Sequence, residues 1–208
     1  MGLLAQVEAG SKEYKVSIDY DESIGDFMED YGFDADWKRG VRNGGIGILS
    51  LHRRYNIGHD HHMQEPDDLQ EAIEDFKQEY PSAKVLPLYC YEHSMIALSV
   101  KSFQGRAHHA EWDSGQIGWV VYDERTMEEA DVEALLEEYG NYLNGEVFYV
   151  WLEEMELEDA VQREWVHVQG CGGVMPSGIK DAAEMIVVDC VEEPEARENL
   201  LKQIKEGM

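Results

Sequence analysis

The sequence predicts an α+β fold: a mostly antiparallel β-sheet with helices packed on one face, an acidic surface helix and a helical C-terminus. Short alternating apolar segments follow one another through tight turns, which is typical of a meander rather than of a βαβ series. Two longer segments place apolar residues at helical spacing behind helix-start signals. The 208 residues, of which 43% are apolar, are enough to bury a core. Because no linker or repeat divides them, we predict a single domain over residues 1–208.

Four strands and one helix are predicted in the first half of the chain. Apolar residues alternate with polar ones in residues 14–20, and a glycine-loosened apolar run follows at residues 45–51. Pro66 and two aspartates open a helix whose apolar residues recur every three or four positions. Strands over residues 85–91 and 95–100 lie so close together in the sequence that we predict a hairpin between them.

The second half of the chain is predicted to alternate strands with helices. Thr126 and Glu129 have the spacing of a capping box, and the helix that follows turns its acidic residues to solvent. Residues 178–208 form a predicted helical C-terminal appendage, in which Pro194 starts the last helix. The glycine-rich residues 170–173 lack the Lys-Ser/Thr of a phosphate loop, and we predict a flexible turn there. Further strands are predicted at residues 117–122, 145–152 and 164–168.

The charge balance limits the classes of partner. Asp and Glu number 44 against 17 Lys and Arg, which gives a formal net charge of −27. Such a surface repels nucleic acid, so we predict no direct nucleic-acid binding, and a protein partner with a basic surface becomes the natural one. A merely solvated acidic surface and a mimic of DNA are the two alternatives for the same charge. Acidic residues concentrate at residues 19–36, 128–138 and 153–159.

The cellular location follows from absences in the sequence. There is no run of about 18 apolar residues, so we predict no membrane association. Cys90, Cys171 and Cys190 are odd in number and have no paired spacing, which favours a reducing cytoplasm over a disulfide framework. The oligomeric state is not specified by these patterns.

One segment has the composition of a site. Trp112, Asp113, Ser114 and Gln116, with two glycines among them, lead directly into an apolar strand. The start of a strand does not require this combination of polar residues, and the glycines lower strand propensity. The segment is therefore suited to the close approach of another group.

A second candidate site contains positive charge in a chain that has little of it. His52, Arg53 and Arg54 follow the strand at residues 45–51, and guanidinium groups bind phosphate or carboxylate through a planar fork. The alternative is that these arginines neutralise nearby acids. If they bind an anion, the alternative function is that of a small-ligand (nucleotide or phosphate) binding protein or of a hydrolase. The candidates to line the same cleft are then His93, Ser94, Asp113, Ser114 and Gln116, and Trp112 is a further ligand-binding candidate.

The same residues allow a catalytic alternative. His93 would be a general base, Asp113 would orient it, and Ser94 or Ser114 would be a nucleophile or positioning hydroxyl. No nucleophile-elbow motif is present, and hydrogen bonds that hold a hairpin together explain the same residues, so a binding protein is favoured over an enzyme.

Histidine-rich segments suggest a divalent metal, although no cofactor is required by the sequence. Imidazole and carboxylate groups suit zinc, iron or manganese, and two loops could close one site. No zinc-signature spacing is present. The candidate ligands are His59, His61, His62, His108 and His109.

Four motifs follow one another along the chain. They are LHRRYNIG at residues 51–58, YEHS at 91–94, WDSGQIG at 112–118 and YLNGEVF at 142–148. In this order they resemble a family of uncharacterised proteins from tailed bacteriophages and prophages, over residues 40–152, a family-like core. Met95 replaces the family's usual glycine, and the loop at residues 103–111 is longer. The resemblance implies a phage accessory protein in the host cytoplasm, which binds and inhibits or redirects a host defence protein, in one version as a DNA mimic.

Overall fold

A computed structural model describes residues 2–31, 33–157 and 164–207. The strands are β1 (Gly2–Ala9), β2 (Lys12–Tyr20), β3 (Ile46–Ser50), β4 (Ala83–His93), β5 (Met95–Ser99), β6 (Ser114–Asp123), β7 (Phe148–Glu156) and β8 (Val166–Val174). The helices are α1 (Phe27–Asp30), α2 (Trp37–Arg42), α3 (Pro66–Glu79), α4 (Ala110–Asp113), α5 (Glu129–Leu143), α6 (Ile179–Cys190) and α7 (Pro194–Gly207). The predicted α+β class with antiparallel pairing and a helical C-terminus is confirmed.

Contacts group the chain into two compact units. One combines Met1–Ile24 with Gly145–Met208, and the other is the continuous segment Gly25–Asn144. Neither junction has the Gly/Ser/Pro composition of a linker, so local sequence does not predict the boundary. The prediction of one sheet is wrong in this respect, since each unit has its own four-stranded antiparallel sheet.

The first unit is built on a sheet of order β1-β2-β7-β8. Val16, Val150 and Leu152 are fully buried on one face of this sheet. They pack in one cluster with Ile186 of α6 and Leu200 of α7. The C-terminal helices therefore close the core of this unit and are not an appendage lying outside a fold.

Residues 170–173 belong to strand β8 and not to the flexible turn that we predicted. Their glycines have a packing reason. A Cβ at Gly170 would overlap the hydroxyl of Tyr149, and a Cβ at Gly172 would come 2.6 Å from the carboxylate of Asp21. The glycines let a neighbouring ring and a carboxylate lie against the strand.

The second unit is built on a sheet of order β3-β6-β4-β5. Leu49 and Val121 of this sheet pack with Trp37 of α2 and with Leu69 and Phe76 of α3. The apolar stripe predicted for the helix after Pro66 is thus the face that it buries.

An aromatic residue anchors the acidic segment at residues 19–36. Phe27 is 1% exposed, and its ring stacks on Tyr139 of α5 at a centroid distance of 4.6 Å. Asp26 and Asp36 accept hydrogen bonds from the first backbone N–H groups of α1 and α2. Part of the acid in this segment therefore caps helices.

The helix predicted after Thr126 begins two residues later than predicted, because its N-cap is Glu128 and not Thr126. The observed box joins Glu128 and Asp131, while the Thr126 hydroxyl donates to the carbonyl of Asp123 at 3.1 Å. Val132, Leu136 and Tyr139 are buried along α5, and Glu128, Glu129, Asp131 and Glu137 are exposed. The acidic surface helix is confirmed.

Helix α5 and one amide cover the edge strand β5. Asn144 accepts a hydrogen bond from the Ile96 N–H at 2.7 Å and donates to the Ile96 carbonyl at 2.8 Å. Gly140 lets the helix approach, since a Cβ there would lie 3.4 Å from the same carbonyl. The amide replaces a strand neighbour where unpaired backbone groups would otherwise invite edge pairing.

We expect the substitution Asn144→Ala to lower the free energy of unfolding by about 2 kcal/mol, because it leaves two nearly buried backbone groups of Ile96 unpaired. Urea unfolding followed by circular dichroism measures the loss. Asn141→Ala, one turn earlier on α5, is the control and should change stability by less than about 0.5 kcal/mol. Equal losses in the two variants would contradict the role of the amide.

No described helix has the length and apolar character needed to cross a membrane.

Candidate functional site

An open groove of about 600 Å³ lies on the second unit, and we call it the anion groove. Its basic side is the segment that follows β3, and its other walls come from β4, β6 and the start of α3. It contains four of the six residues predicted to bind a ligand, namely His52, Arg53, Arg54 and Gln116. The remaining lining residues are Leu51, Pro66, Glu92, Ile117, Gly118 and Trp119.

His52 organises the basic turn of the groove. Its Nδ1 accepts hydrogen bonds from the backbone N–H groups of Arg54 and Tyr55 at 3.3 and 3.1 Å. The neutral ring therefore carries its proton on Nε2, which donates to Glu92 Oε1 at 2.7 Å. A ring held at both nitrogens fixes the path of the chain between positions 52 and 55, and with it the places where the two arginines leave the backbone.

The two arginines differ in their surroundings. Arg54 lies 3.8 Å from the carboxylate of Glu92, and its guanidinium lies over the ring of Tyr55 at 5.3 Å. Arg53 is exposed, and within the described residues it has no hydrogen bond, ion pair or ring contact. The alternative that these arginines neutralise nearby acids therefore fits Arg54 in part and does not fit Arg53.

A β-bulge shapes the opposite wall of the groove. Pairing between β4 and β6 shifts register between Leu88 and Tyr89, which leaves Ile117 as an extra residue. The Gln116 amide nitrogen donates to the Gly118 carbonyl at 3.2 Å, and its amide oxygen has no partner among the described residues. Gly118 is required here because a Cβ would overlap the carbonyl oxygen of Leu49. The close approach that the sequence suggested is thus that of strand β3.

The structure brings His93 and Asp113 together, but not in the anion groove. His93 Nδ1 lies 2.7 Å from Asp113 Oδ2, and the imidazole is about half exposed. Side chains alternate along a strand, so His93 lies on the side of β4 opposite to Glu92. It contributes instead to a second depression, of about 740 Å³, between β5 and α5. The predicted single cleft is therefore divided into two places.

Neither candidate serine is placed as a nucleophile for His93. The Ser114 hydroxyl donates to the carbonyl of Ala110 at 2.6 Å and closes the end of α4. Ser94 is at the hairpin tip with φ of 63°, and its hydroxyl donates to the His93 carbonyl at 2.6 Å. Trp112 is 84% exposed on α4 and lies outside the anion groove. Hydrogen bonding of turns thus accounts for both serines.

The five histidines predicted as metal ligands do not meet in the described structure. His59 is buried, and its Nδ1 accepts from the Ile48 N–H at 3.0 Å. Both ring nitrogens of His61 contact backbone carbonyl groups, at 3.1 and 2.9 Å. His62 is exposed, and the adjacent rings of His108 and His109 lie 3.8 Å apart at another loop.

One other group of described residues has metal-ligand spacing. The ligand atoms of His52, Cys90 and Glu92 all lie within 4.8 Å of one another. Two observations speak against a metal ion here. The hydrogen bonds to His52 place the proton on the nitrogen that would bind the metal, and burial raises the pKa of the Cys90 thiol to about 12. A metal ligand must be the thiolate and the unprotonated nitrogen, so these residues fit a hydrogen-bonded wall better than a metal site.

The acidic clusters have different surroundings. In the run at residues 153–159, Glu153 forms an ion pair with Lys15 at 2.8 Å, and Glu154 with Lys12 at 3.0 Å. Residues 158 and 159 lie outside the described part of the chain. The acids of α5 are mostly exposed, and Lys101 lies within 4 Å of two of them, Glu129 and Glu133. The more accessible acidic surface is therefore that of α5.

Several groove residues were not predicted. Glu92 lies on the same face of β4 as Cys90, within the YEHS motif. Its neighbour His93, and not Glu92, was predicted as a site residue from that motif. Leu51, Pro66 and Trp119 are ordinary residues of strand and helix ends, and nothing in their local sequence signals a groove.

Comparisons with protein-family models, with curated protein sequences and with solved structures find no match for this chain. The site is therefore interpreted from its own geometry.

Burial lowers the pKa of His59 in the folded protein, so its ring stays neutral there, whereas in the unfolded chain it titrates near about 6.5. A base with a depressed pKa contributes stability above its unfolded pKa, and this is lost as the pH falls below about 6.5. We expect the free energy of unfolding to fall from pH 7 to pH 5 more steeply in the native protein than in His59→Gln. Guanidinium unfolding at both pH values measures this difference. Parallel curves would contradict the buried neutral state of His59.

Proposed function

We propose that this protein binds a small phosphate- or carboxylate-bearing ligand in the anion groove. The observation that carries the proposal is Arg53, an exposed guanidinium without a partner in the described structure of a chain with 44 acidic residues. In such a chain an arginine finds a carboxylate easily, as Arg39, Arg42 and Arg125 do. An arginine kept apart from acids beside a groove is suited to an external anion.

The rest of the groove supports this proposal. Its volume lies within the range of about 300–1,000 Å³ typical of small-molecule sites. Glu92 is the acidic group in its wall, and hydrogen bonding to His52 and the proximity of Arg54 offset its charge. The His52 turn fixes the backbone from which the arginines extend, so less backbone freedom is lost when an anion binds.

Isothermal titration calorimetry with inorganic phosphate and with ribose 5-phosphate tests the proposal. We expect saturable one-site binding that is at least about tenfold weaker in Arg53→Ala, because one charged hydrogen-bond donor is lost. Arg42→Ala is the matched control, since Arg42 pairs with Glu79 on another face and should leave the affinity unchanged. Absence of binding at 10 mM of either probe, taken as about the weakest affinity of interest, would contradict the proposal.

A second candidate function is supported by the exposed acids of α5. We propose that this helix binds a host protein through a basic surface, in line with the resemblance of four motifs to phage proteins. The observation in its favour is that Glu128, Asp131 and Glu137 point to solvent without a cation within 4 Å in the described chain. Complementary charge would speed association and make the complex sensitive to salt.

Capture from a bacterial lysate, with elution by salt, tests the second function. We expect a specific partner to be lost when Glu129→Lys and Glu137→Lys are combined. The matched control combines Glu195→Lys and Glu198→Lys on α7, which changes the net charge by the same amount on another helix. Equal loss in both variants would indicate a response to net charge alone and would contradict a docking site on α5.

A further inference from the structure

We propose that the ligand of the anion groove is the phosphate monoester of a flat ring, of the size of a nucleoside monophosphate. This inference rests on the proposed anion binding and adds the class of molecule. Three features of the groove carry it: the volume beyond what a phosphate fills, the apolar wall that contains Trp119, and the unpaired amide oxygen of Gln116.

The groove is larger than the space that a phosphate beside the two arginines would fill. The arginines leave the chain at two adjacent positions, whereas the cavity of about 600 Å³ continues along β6 to Trp119 and across to Pro66. A bare phosphate would contact the arginines and leave most of this space to water. A ligand with a body attached to its anionic group fits the whole groove.

Part of the groove wall is apolar. Leu51, Ile117 and Trp119 contribute to it, and the Trp119 side chain is half-buried between the sheet and solvent. The Trp119 residue pairs with Leu49 in β3 and with Pro87 in β4, so strands on both sides hold its backbone. A ring on a rigid support stacks a flat ligand at a low cost in conformational entropy.

Gln116 adds a polar group at the edge of the same wall. Its amide nitrogen is engaged by the Gly118 carbonyl, and its oxygen is left as an acceptor without a partner in the described chain. An exocyclic amino group or ring N–H would be a donor for this oxygen. Heteroaromatic rings combine such donors with a flat face that stacks on Trp119.

The net charge selects a monomer over a polymer. With a net charge of −27, each phosphate outside the groove is repelled, and only a phosphate beside the arginines is compensated. A single charged group with an uncharged ring meets this condition, and a nucleic-acid strand does not.

Calorimetry with AMP, ribose 5-phosphate and inorganic phosphate tests the inference. We expect AMP to bind at least about tenfold more tightly than ribose 5-phosphate, because stacking on an aromatic side chain gives this order of gain. In Trp119→Leu the advantage of AMP should vanish while the affinity for ribose 5-phosphate stays the same. Trp119→Phe keeps a ring and should retain part of the advantage.

The outcomes separate the inference from the function on which it rests. If phosphate and ribose 5-phosphate bind but AMP gains nothing, the ring is not recognised and the inference is overturned while anion binding stands. If none of the three binds, anion binding itself fails. If Trp119→Leu does not fold, the ratio of AMP to ribose 5-phosphate affinity in the native protein decides. Tighter binding of a single-stranded oligonucleotide than of AMP would overturn the choice of a monomer.

Discussion

Replacing Gly118 by alanine is expected to destabilise the second unit by about 3 kcal/mol or more, a large part of the stability of an ordinary domain. The added Cβ would overlap the Leu49 carbonyl oxygen and lie 2.9 Å from the Cα of Ser50. Both atoms belong to the backbone of β3, so no side-chain rotation relieves the clash. Strand β3 would have to move away from β6, together with the turn that carries the arginines.

Gly115→Ala provides the matched control for this prediction. Gly115 lies three residues earlier on the same strand, and a Cβ there would meet no atom within 4 Å. We expect its free energy of unfolding to stay within about 0.5 kcal/mol of the native value or to rise slightly, because glycine is unfavourable in a strand. Urea denaturation of both variants measures the difference. A Gly118→Ala protein as stable as Gly115→Ala would contradict the observed packing of β3 on β6.

Reversing the charge at Arg53 is expected to weaken binding of ribose 5-phosphate at least about a hundredfold. Loss of a charged hydrogen bond costs about 1.5–3 kcal/mol, and the new carboxylate repels the phosphate in addition. Because Arg53 has no partner in the described structure, Arg53→Glu breaks no contact there, and its melting temperature should be close to that of the native protein.

Lys205→Glu is the control that separates the effect of charge in the groove from the effect of net charge. Lys205 is exposed on α7, and its replacement lowers the net charge by the same two units. Calorimetry should give a Kd within about twofold of the native value, since Lys205 does not line the groove and exposed charges are screened at physiological ionic strength. A similar loss of affinity in both variants would indicate that net charge, and not the groove, governs binding.

The elements of this fold that could be predicted are those with a local signal. Helix α3 has a proline start and an apolar stripe, and the β4–β5 hairpin has two apolar runs on either side of a tight turn at Ser94. Strand β1 was not predicted, because its apolar residues do not alternate cleanly in burial and Leu3 is exposed. Its identity as a strand comes from antiparallel pairing with β2. The division into two units was also missed, since it depends on β2 pairing with β7 across more than a hundred residues. Such pairing leaves no trace in a local window.

The candidate site shows the same division between local and long-range information. The arginines and Gln116 were predicted from composition, and the structure places them in one groove. The two faces of β4 were not separated, although the alternation of Glu92 and His93 contained that information. The predicted contact between His93 and Asp113 is present, but it lies outside the anion groove. Ser114, a predicted nucleophile or positioning hydroxyl, instead closes a helix. The need for Gly118 was visible as an unusual glycine in a strand, but its cause is the backbone of β3.

The anion groove is tested most directly by the arginine side chains themselves. We expect the Nε–Hε signals of Arg53 and Arg54 in a proton–nitrogen correlation spectrum to shift saturably as AMP is added, because a phosphate on the guanidinium changes its hydrogen bonding. The signal of Arg42, which is paired with Glu79, should stay in place. Unmoved signals of Arg53 and Arg54 at an AMP concentration that saturates the protein by calorimetry would contradict binding in the groove.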